Sequence, residues 1–71
     1  MTTATESTPT IIRRPKVQAK TGLSRSTIYE RIGAGTFPAP VNLGVRAVGW
    51  IEAEVDAWVR ERVSASRKAA A

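Results

Sequence analysis

The sequence predicts a mainly α-helical domain with one small β-hairpin, an α+β fold class. Two segments carry apolar residues at helical spacing: a stretch that begins at Ser24 and a longer stripe that begins at Ile51. Between them, two short apolar runs flank Gly44, which is typical of a hairpin. At 71 residues the chain is one domain at most, and a domain of this size is expected to be marginally stable.

Residues 1–11 are expected to form a disordered N-terminal arm, because they are dominated by threonine and lack apolar periodicity. The predicted domain covers residues 12–63, and a frayed C-terminal tail covers residues 64–71. The first helix of the domain is short. Pro15 suits its first turn, where proline loses no helical hydrogen bond, and Gly22 ends it.

The second predicted helix begins at Ser24 and runs for about ten residues. Ser24 is a favoured N-cap residue, and Leu23 and Ile28 fall at the two positions of a hydrophobic staple. Because Ile28 faces the core, a rotation of 100° per residue points Ser26 and Glu30 outward. The helix therefore presents a polar face to solvent from its first turn onward.

The hairpin is predicted from two apolar runs, Val41 to Leu43 and Val48 to Trp50, around a glycine-bearing turn. Val41 and Leu43 are expected to share the inner face with Val48 and Trp50. Arg46 then lies at the tip. A basic hairpin tip beside a helix-turn-helix is a wing, which typically contacts the sugar-phosphate backbone or the minor groove of DNA.

A third helix follows the hairpin. One stripe at positions i, i+4, i+7, i+8 and i+11 is occupied by Ile51, Val55, Trp58, Val59 and Arg62, and all of these but Arg62 are apolar. Since Trp58 lies on this stripe, it is predicted to be a core residue and not a platform on which bases stack. Glutamates near the start of the helix and arginines further along complement the helix dipole.

Composition argues against an enzyme. The chain has no cysteine and no histidine, so it lacks the commonest nucleophile, acid/base group and metal ligands. We therefore expect no catalytic residues, no metal and no cofactor. The absence of a signal peptide and of a long apolar run predicts a protein that does not enter the membrane and that acts in the cytoplasm.

Positive charge is concentrated in the first half of the domain. Between Arg13 and Arg46 there are seven basic side chains and one acid, Glu30, which gives a local net charge of +6. Between Trp50 and Arg62 four acids and two arginines give −2. This division predicts one face for a polyanion and another turned away from it.

Together these elements predict a winged helix-turn-helix that binds double-stranded DNA. In this architecture the N-terminal residues of the second helix contact base edges, and hydroxyl and basic side chains contact phosphates. The candidate DNA-binding residues lie in the first two helices, the turn between them and the wing: Lys20, Ser24, Arg25, Ser26, Thr27, Tyr29, Arg31 and Arg46.

Three motifs in order resemble the AlpA-type phage and prophage regulators, small winged-helix proteins related to excisionases and the MerR-like DNA-binding domain. The first motif runs from Thr21 to Tyr29. The second consists of residues 35–38 with residues 40–44, and the third of residues 48–50 leading into residues 54–58. The resemblance extends from about residue 12 to residue 63. It implies two helix-turn-helix helices, a two-stranded wing and a third helix, which bind duplex DNA near phage integration or excision genes.

Three functions remain open at this point. The first is a sequence-specific regulator of transcription for phage integration and excision genes. The second is an excisionase that bends attachment-site DNA together with an integrase. The third is a small DNA-recognition or docking subunit of a phage packaging complex, with the acidic last helix as its docking face. For the first two, we expect cooperative self-association on repeated DNA sites and a location on the nucleoid.

Overall fold

The computed structural model describes residues 8–70. Within them, three helices and three strands follow one another as β1 (Ile11–Ile12), α1 (Arg14–Thr21), α2 (Arg25–Ala34), β2 (Val41–Gly44), β3 (Ala47–Ile51) and α3 (Glu52–Ala70). The predicted α+β class, with a helix-turn-helix and a wing, is confirmed. Residues 1–7 of the predicted arm lie outside the described residues, while Ile11, which was assigned to the arm, lies in β1.

Local sequence signals determine where α1 and α2 begin and end. Pro15 occupies the first turn of α1, and Gly22 ends that helix in the left-handed conformation with φ 74°. The Ser24 side chain accepts a hydrogen bond of 3.2 Å from the Thr27 backbone N–H, which satisfies a free donor at the start of α2. A three-residue turn therefore joins the two helices, as a helix-turn-helix requires.

The sheet has the order β1-β3-β2, and both strand pairs are antiparallel. Strand β1 was not predicted, because two isoleucines at the end of a polar segment give no alternation to recognise. Ile12 lies opposite Trp50, so the start of the domain is fastened to the central strand of the wing. The Glu52 backbone N–H also donates to the Thr10 carbonyl at 2.8 Å.

The predicted inner face of the hairpin was half wrong. Val48 and Trp50 do pack toward the core, but Val41 lies opposite Gly49, which places it on the other face of the sheet. Leu43 follows Val41 onto that face and is 45% exposed. The reason is register: a pairing shifted by one residue moves a whole apolar set across the sheet, and the sequence does not specify the offset.

One hydrophobic cluster holds the domain together. Its six buried members come from every element but β2, and from the loop before it: Ile12, Val17, Ile28, Phe37, Trp50 and Val55. The two indole N–H groups join the loop after α2 to this cluster. Trp50 donates to the Pro38 carbonyl at 3.1 Å, and Trp58 donates to the Thr36 carbonyl at 2.7 Å.

Trp58 packs against the core as predicted, with its ring edge-to-face on Phe37 at a centroid distance of 4.9 Å. Ile51, placed on the helical stripe by the sequence, instead ends β3. Helix α3 continues to Ala70, through most of the segment expected to be a frayed tail. In the described part of the chain, no helix is long and apolar enough to cross a membrane.

Candidate nucleic-acid interface

The exposed start of α2 carries the candidate residues that are most accessible. Arg25 and Ser26 occupy the first turn and are exposed, and Tyr29 follows one turn later with 38% exposure. Ile28 between them is fully buried, which fixes the rotation of the helix about its axis. The polar face of α2 therefore points away from the core, as the periodicity predicts.

A chain of stacked side chains connects this turn to the wing. The Arg25 guanidinium lies over the Tyr29 ring, 5.6 Å from its centroid. The same ring meets Trp50 edge-to-face at 6.3 Å. Since Trp50 is fully buried, it gives Tyr29 a rigid support, and Tyr29 in turn restricts where Arg25 can lie.

Ser24 and Thr27 bond to each other. Besides the cap, the Ser24 hydroxyl donates to Thr27 Oγ1 at 3.0 Å. In the structure these hydroxyls hold the first turn of α2 together, and their contact with DNA stays a prediction. Ser26, which makes no such contact in the described part of the chain, is the hydroxyl best placed to reach a base or a phosphate.

Lys20 is separated from the other candidates by its ion pairs. Its Nζ lies 2.7 Å from an Asp56 carboxylate oxygen and 3.3 Å from a Glu52 oxygen, so it links α1 to α3. The hydrogen bond to Asp56 is the main cause that raises the pKa of Lys20 above its ordinary value of 10.5. Two acids already balance this charge, so Lys20 has little left to offer a phosphate.

Arg31 is also partly committed to the fold. It is half-buried on the flank of α2 opposite Tyr29, and its Nε is buried without a hydrogen-bond partner in the described residues. A contact between Arg31 and DNA would have to use the terminal guanidinium nitrogens. Its backbone carbonyl accepts from Thr36 at 2.9 Å and so helps to end the helix.

Arg46 lies at the wing tip, as predicted. Val45 and Arg46 form the turn between β2 and β3, and Val45 is 92% exposed. Arg46 adopts the left-handed conformation with φ 62°, which is uncommon for a residue other than glycine. The turn therefore holds a charged side chain at a backbone position where Asn or Gly is usual.

The structure adds two arginines that the sequence did not single out. Arg13 and Arg14, at the start of α1, line one cleft together with Tyr29 and Arg46. Both had been counted in the basic segment, but only the pairing of β1 with β3 shows that they lie beside the wing. The signal in the sequence was the Arg-Arg-Pro run, which marks a basic helix start without indicating its neighbour.

Comparisons with known proteins identify the family of this chain. A family model described as prophage CP4-57 regulatory protein (AlpA) matches residues 10–63. The DNA-binding transcriptional activator AlpA of Escherichia coli strain K12 is 47% identical over 58 residues, which covers 73% of this chain and 83% of that protein. This chain belongs to the AlpA family. The resemblance found in the sequence motifs is thereby confirmed.

A second relative of this chain comes from a phage. ORF88 of Enterobacteria phage P4, an uncharacterized protein, is 46% identical over 57 residues, which covers 80% of this chain and 65% of that protein. The AlpA-family match includes β1, both helices of the helix-turn-helix, the wing and the first part of α3. The family is described as a regulatory protein, which is not an enzyme class.

Proposed function

We propose that this protein is a sequence-specific regulator of transcription that binds duplex DNA through α2 and the wing. One observation carries the proposal: the exposed first turn of α2 and the wing arginine meet on a single basic surface, joined by Tyr29. A helix of ten residues is about 15 Å long and is suited to the major groove. The wing then lies over the adjacent backbone.

We expect two kinds of contact with DNA, one to base edges and one to the sugar-phosphate backbone. Arg25 is suited to a bidentate contact with the O6 and N7 atoms of guanine, which the major groove presents to an arginine. Ser26 is suited to a base edge or a phosphate. Arg46 contacts the sugar-phosphate backbone, where it sets the position of the domain without selecting a sequence.

The names of the relatives support a regulatory role. The Escherichia coli relative is named a DNA-binding transcriptional activator, and the family is named for a prophage regulator. We therefore propose that the regulated genes are those of prophage integration and excision. On this proposal the protein acts in the cytoplasm, bound to the nucleoid.

Binding measurements with DNA fragments from around its own gene test the proposal. Fragments that contain a site should bind more tightly than shuffled sequences of equal composition. If about five phosphates are neutralised, the logarithm of affinity should fall with the logarithm of salt concentration with a slope of roughly −4 to −5. A slope near zero, or equal affinity for shuffled DNA, would contradict sequence-specific binding.

The position of the bound site separates the regulator from the excisionase. A footprint over a promoter supports regulation, whereas a footprint over an attachment site, with bending and a requirement for integrase, supports the alternative. The third hypothesis, a subunit of a phage packaging complex, loses part of its support. Its docking face was the acidic side of α3, and Glu52 and Asp56 on that side are paired with Lys20.

We further propose that working DNA sites contain repeats that several copies fill cooperatively. One reading helix and one wing cover a short half-site, since a single module buries roughly 600–1,000 Å² on DNA. Titration of DNA with one, two and three repeats is the direct measurement. Equal affinity per repeat in all three, with a one-to-one complex on a single repeat, would indicate a protein that binds as a monomer.

A further inference from the structure

A cleft of about 290 Å³ lies where the start of α1, α2 and the wing meet. Six residues line it: Arg13, Arg14, Pro15, Tyr29, Arg46 and Val48. Three of them are arginines from two places distant in the sequence, and none is an acid. The walls are an aromatic ring, a proline and a valine, so the cleft combines a concentrated positive charge with apolar sides.

The pairing of strands explains why these arginines meet. Ile12 pairs with Trp50, and the antiparallel direction then carries Arg13 toward the wing end of β3. The left-handed turn at Arg46 closes the hairpin beside it. Arg14 is held by a hydrogen bond of 3.3 Å from its Nε to the Gln18 side chain, one turn along α1.

Among residues 8–70, no acid forms an ion pair with the arginines of this cleft. The ion pairs found in the described part of the chain involve Lys20, and none involves the three arginines. The first turn of α1 also contains no acid, and its N-cap residue, Arg13, makes no side-chain cap. The positive end of the helix dipole therefore adds to the arginines. Like charges gathered in this way repel one another unless an anion occupies the cleft.

We propose that this cleft binds one backbone phosphate of duplex DNA and so clamps the strand between α1 and the wing. The proposal rests on the proposed function and adds a contact from the start of α1. Arginine suits this task because its planar guanidinium donates two parallel hydrogen bonds to phosphate oxygens. Tyr29 lines the cleft and also lies under Arg25, so one ring connects the phosphate contact with the base contact.

Charge-neutral variants measure the contribution of the cleft. Arg13→Gln, Arg14→Gln and Arg46→Gln should each weaken binding about tenfold on specific and shuffled DNA alike, as for a lost charged hydrogen bond. Each should also make the salt slope less steep by about 1. Arg62→Gln, which removes an exposed arginine of α3, is the matched control and should leave both quantities nearly unchanged. Circular dichroism of every variant checks that it is folded.

A double-variant cycle and modified DNA test whether one phosphate is shared. If Arg14 and Arg46 hold the same phosphate, the double variant should lose less than the product of the two single losses. An uncharged methylphosphonate is then placed at each backbone position in turn. At one position it should weaken wild-type binding about as much as Arg46→Gln does, and there Arg46→Gln should add little.

Three outcomes would overturn the cleft as a DNA clamp. In the first, the glutamine variants bind like the wild type while Arg25→Ala still loses sequence preference, so the proposed function stands and the clamp fails. In the second, inorganic phosphate binds the cleft at constant ionic strength without weakening DNA binding, which assigns the cleft to free phosphate. In the third, the wild type binds no duplex DNA, and both proposals fall together.

Discussion

The positive charges at the two ends of α1 have different surroundings. At its C-terminal end, Lys20 lies between two carboxylates of α3, at 2.7 and 3.3 Å. At its N-terminal end, Arg13 and Arg14 lie beside the wing arginine in a cleft that no acid lines. The first end uses its charge to hold two helices together, and the second keeps its charge available for a ligand. A count of basic residues treats them as equal.

The largest effect should come from Trp50, whose ring supports both the core and Tyr29. It is fully buried, and Trp50→Ala should cost about 3–5 kcal/mol of unfolding free energy, which is comparable to the whole stability of a domain this small. Thermal unfolding followed by circular dichroism measures this. Val45→Ala, which removes an apolar side chain that is 92% exposed, is the control and should unfold like the wild type.

Trp58→Ala should also destabilise the domain, because it removes the ring packed on Phe37 and the hydrogen bond to Thr36. Thermal unfolding and DNA binding of the same variant are compared. A well-folded Trp58→Ala protein that had selectively lost DNA binding would place this tryptophan in the interface and contradict its role in packing.

The next effect separates base contact from backbone contact. Arg25→Ala should cost about 1–3 kcal/mol on a specific site and relax the preference at one base pair, because a bidentate contact with guanine is lost. Arg46→Ala should weaken all sequences by a similar factor. Binding to a specific site, to all single-base variants of it and to shuffled DNA measures both. If both variants lose affinity equally on all of these DNAs, base contact and backbone contact are not separated between α2 and the wing.

The sequence predicted the local features of this surface and missed those that depend on long-range pairing. Ser24 and Gly22 act within one turn of their own positions, so the helix bounds could be inferred. Trp58 could be assigned to the core because its stripe has helical period. The cleft could not be found in this way, since Arg13 reaches the wing only through the pairing of Ile12 with Trp50.

The same limit explains one wrong prediction and one contact that the sequence did not reveal. The face occupied by Leu43 depends on the register between β2 and β3, and a change of one residue reverses it. The pairing of Lys20 with Asp56 joins residues 36 positions apart, so a local charge pattern cannot reveal it. Sequence reasoning placed Lys20 with the DNA-binding residues, which stays a prediction, and only the packing of α1 on α3 shows that this lysine also pairs with two acids.

A smaller effect is expected from Tyr29, whose ring lies between Arg25 and the wing arginine Arg46. Tyr29→Leu keeps an apolar side chain but removes the aromatic face under Arg25, an interaction worth about 0.5–1 kcal/mol at an exposed site. Sequence preference at the base pair assigned to Arg25 should weaken by a few-fold. Tyr29→Phe keeps the face and should behave nearly as the wild type. If Phe and Leu lose equally, the hydroxyl and not the ring is the important group.

The smallest effect on DNA binding is expected from Lys20. It tests directly whether the C-terminal end of α1, unlike the N-terminal end, takes no part in binding DNA. Lys20→Gln should leave DNA affinity and its salt slope unchanged, because two acids already balance this charge. Lys16→Gln, at an exposed position of the same helix, is the matched control for a change of net charge. A loss of DNA affinity specific to Lys20→Gln would show that Lys20 leaves its acids for a phosphate.

The pH dependence of stability gives the same residue a second, independent readout. In the folded protein the pKa of Lys20 is raised above 10.5, chiefly by its hydrogen bond to Asp56. A raised pKa stabilises the fold fully below the unfolded value, and this contribution is lost as the pH rises through the folded value. Wild type should therefore lose an increment of stability above about pH 10.5 that Lys20→Gln lacks. Parallel alkaline unfolding curves for the two proteins would mean that the ion pair does not join α1 to α3 in solution.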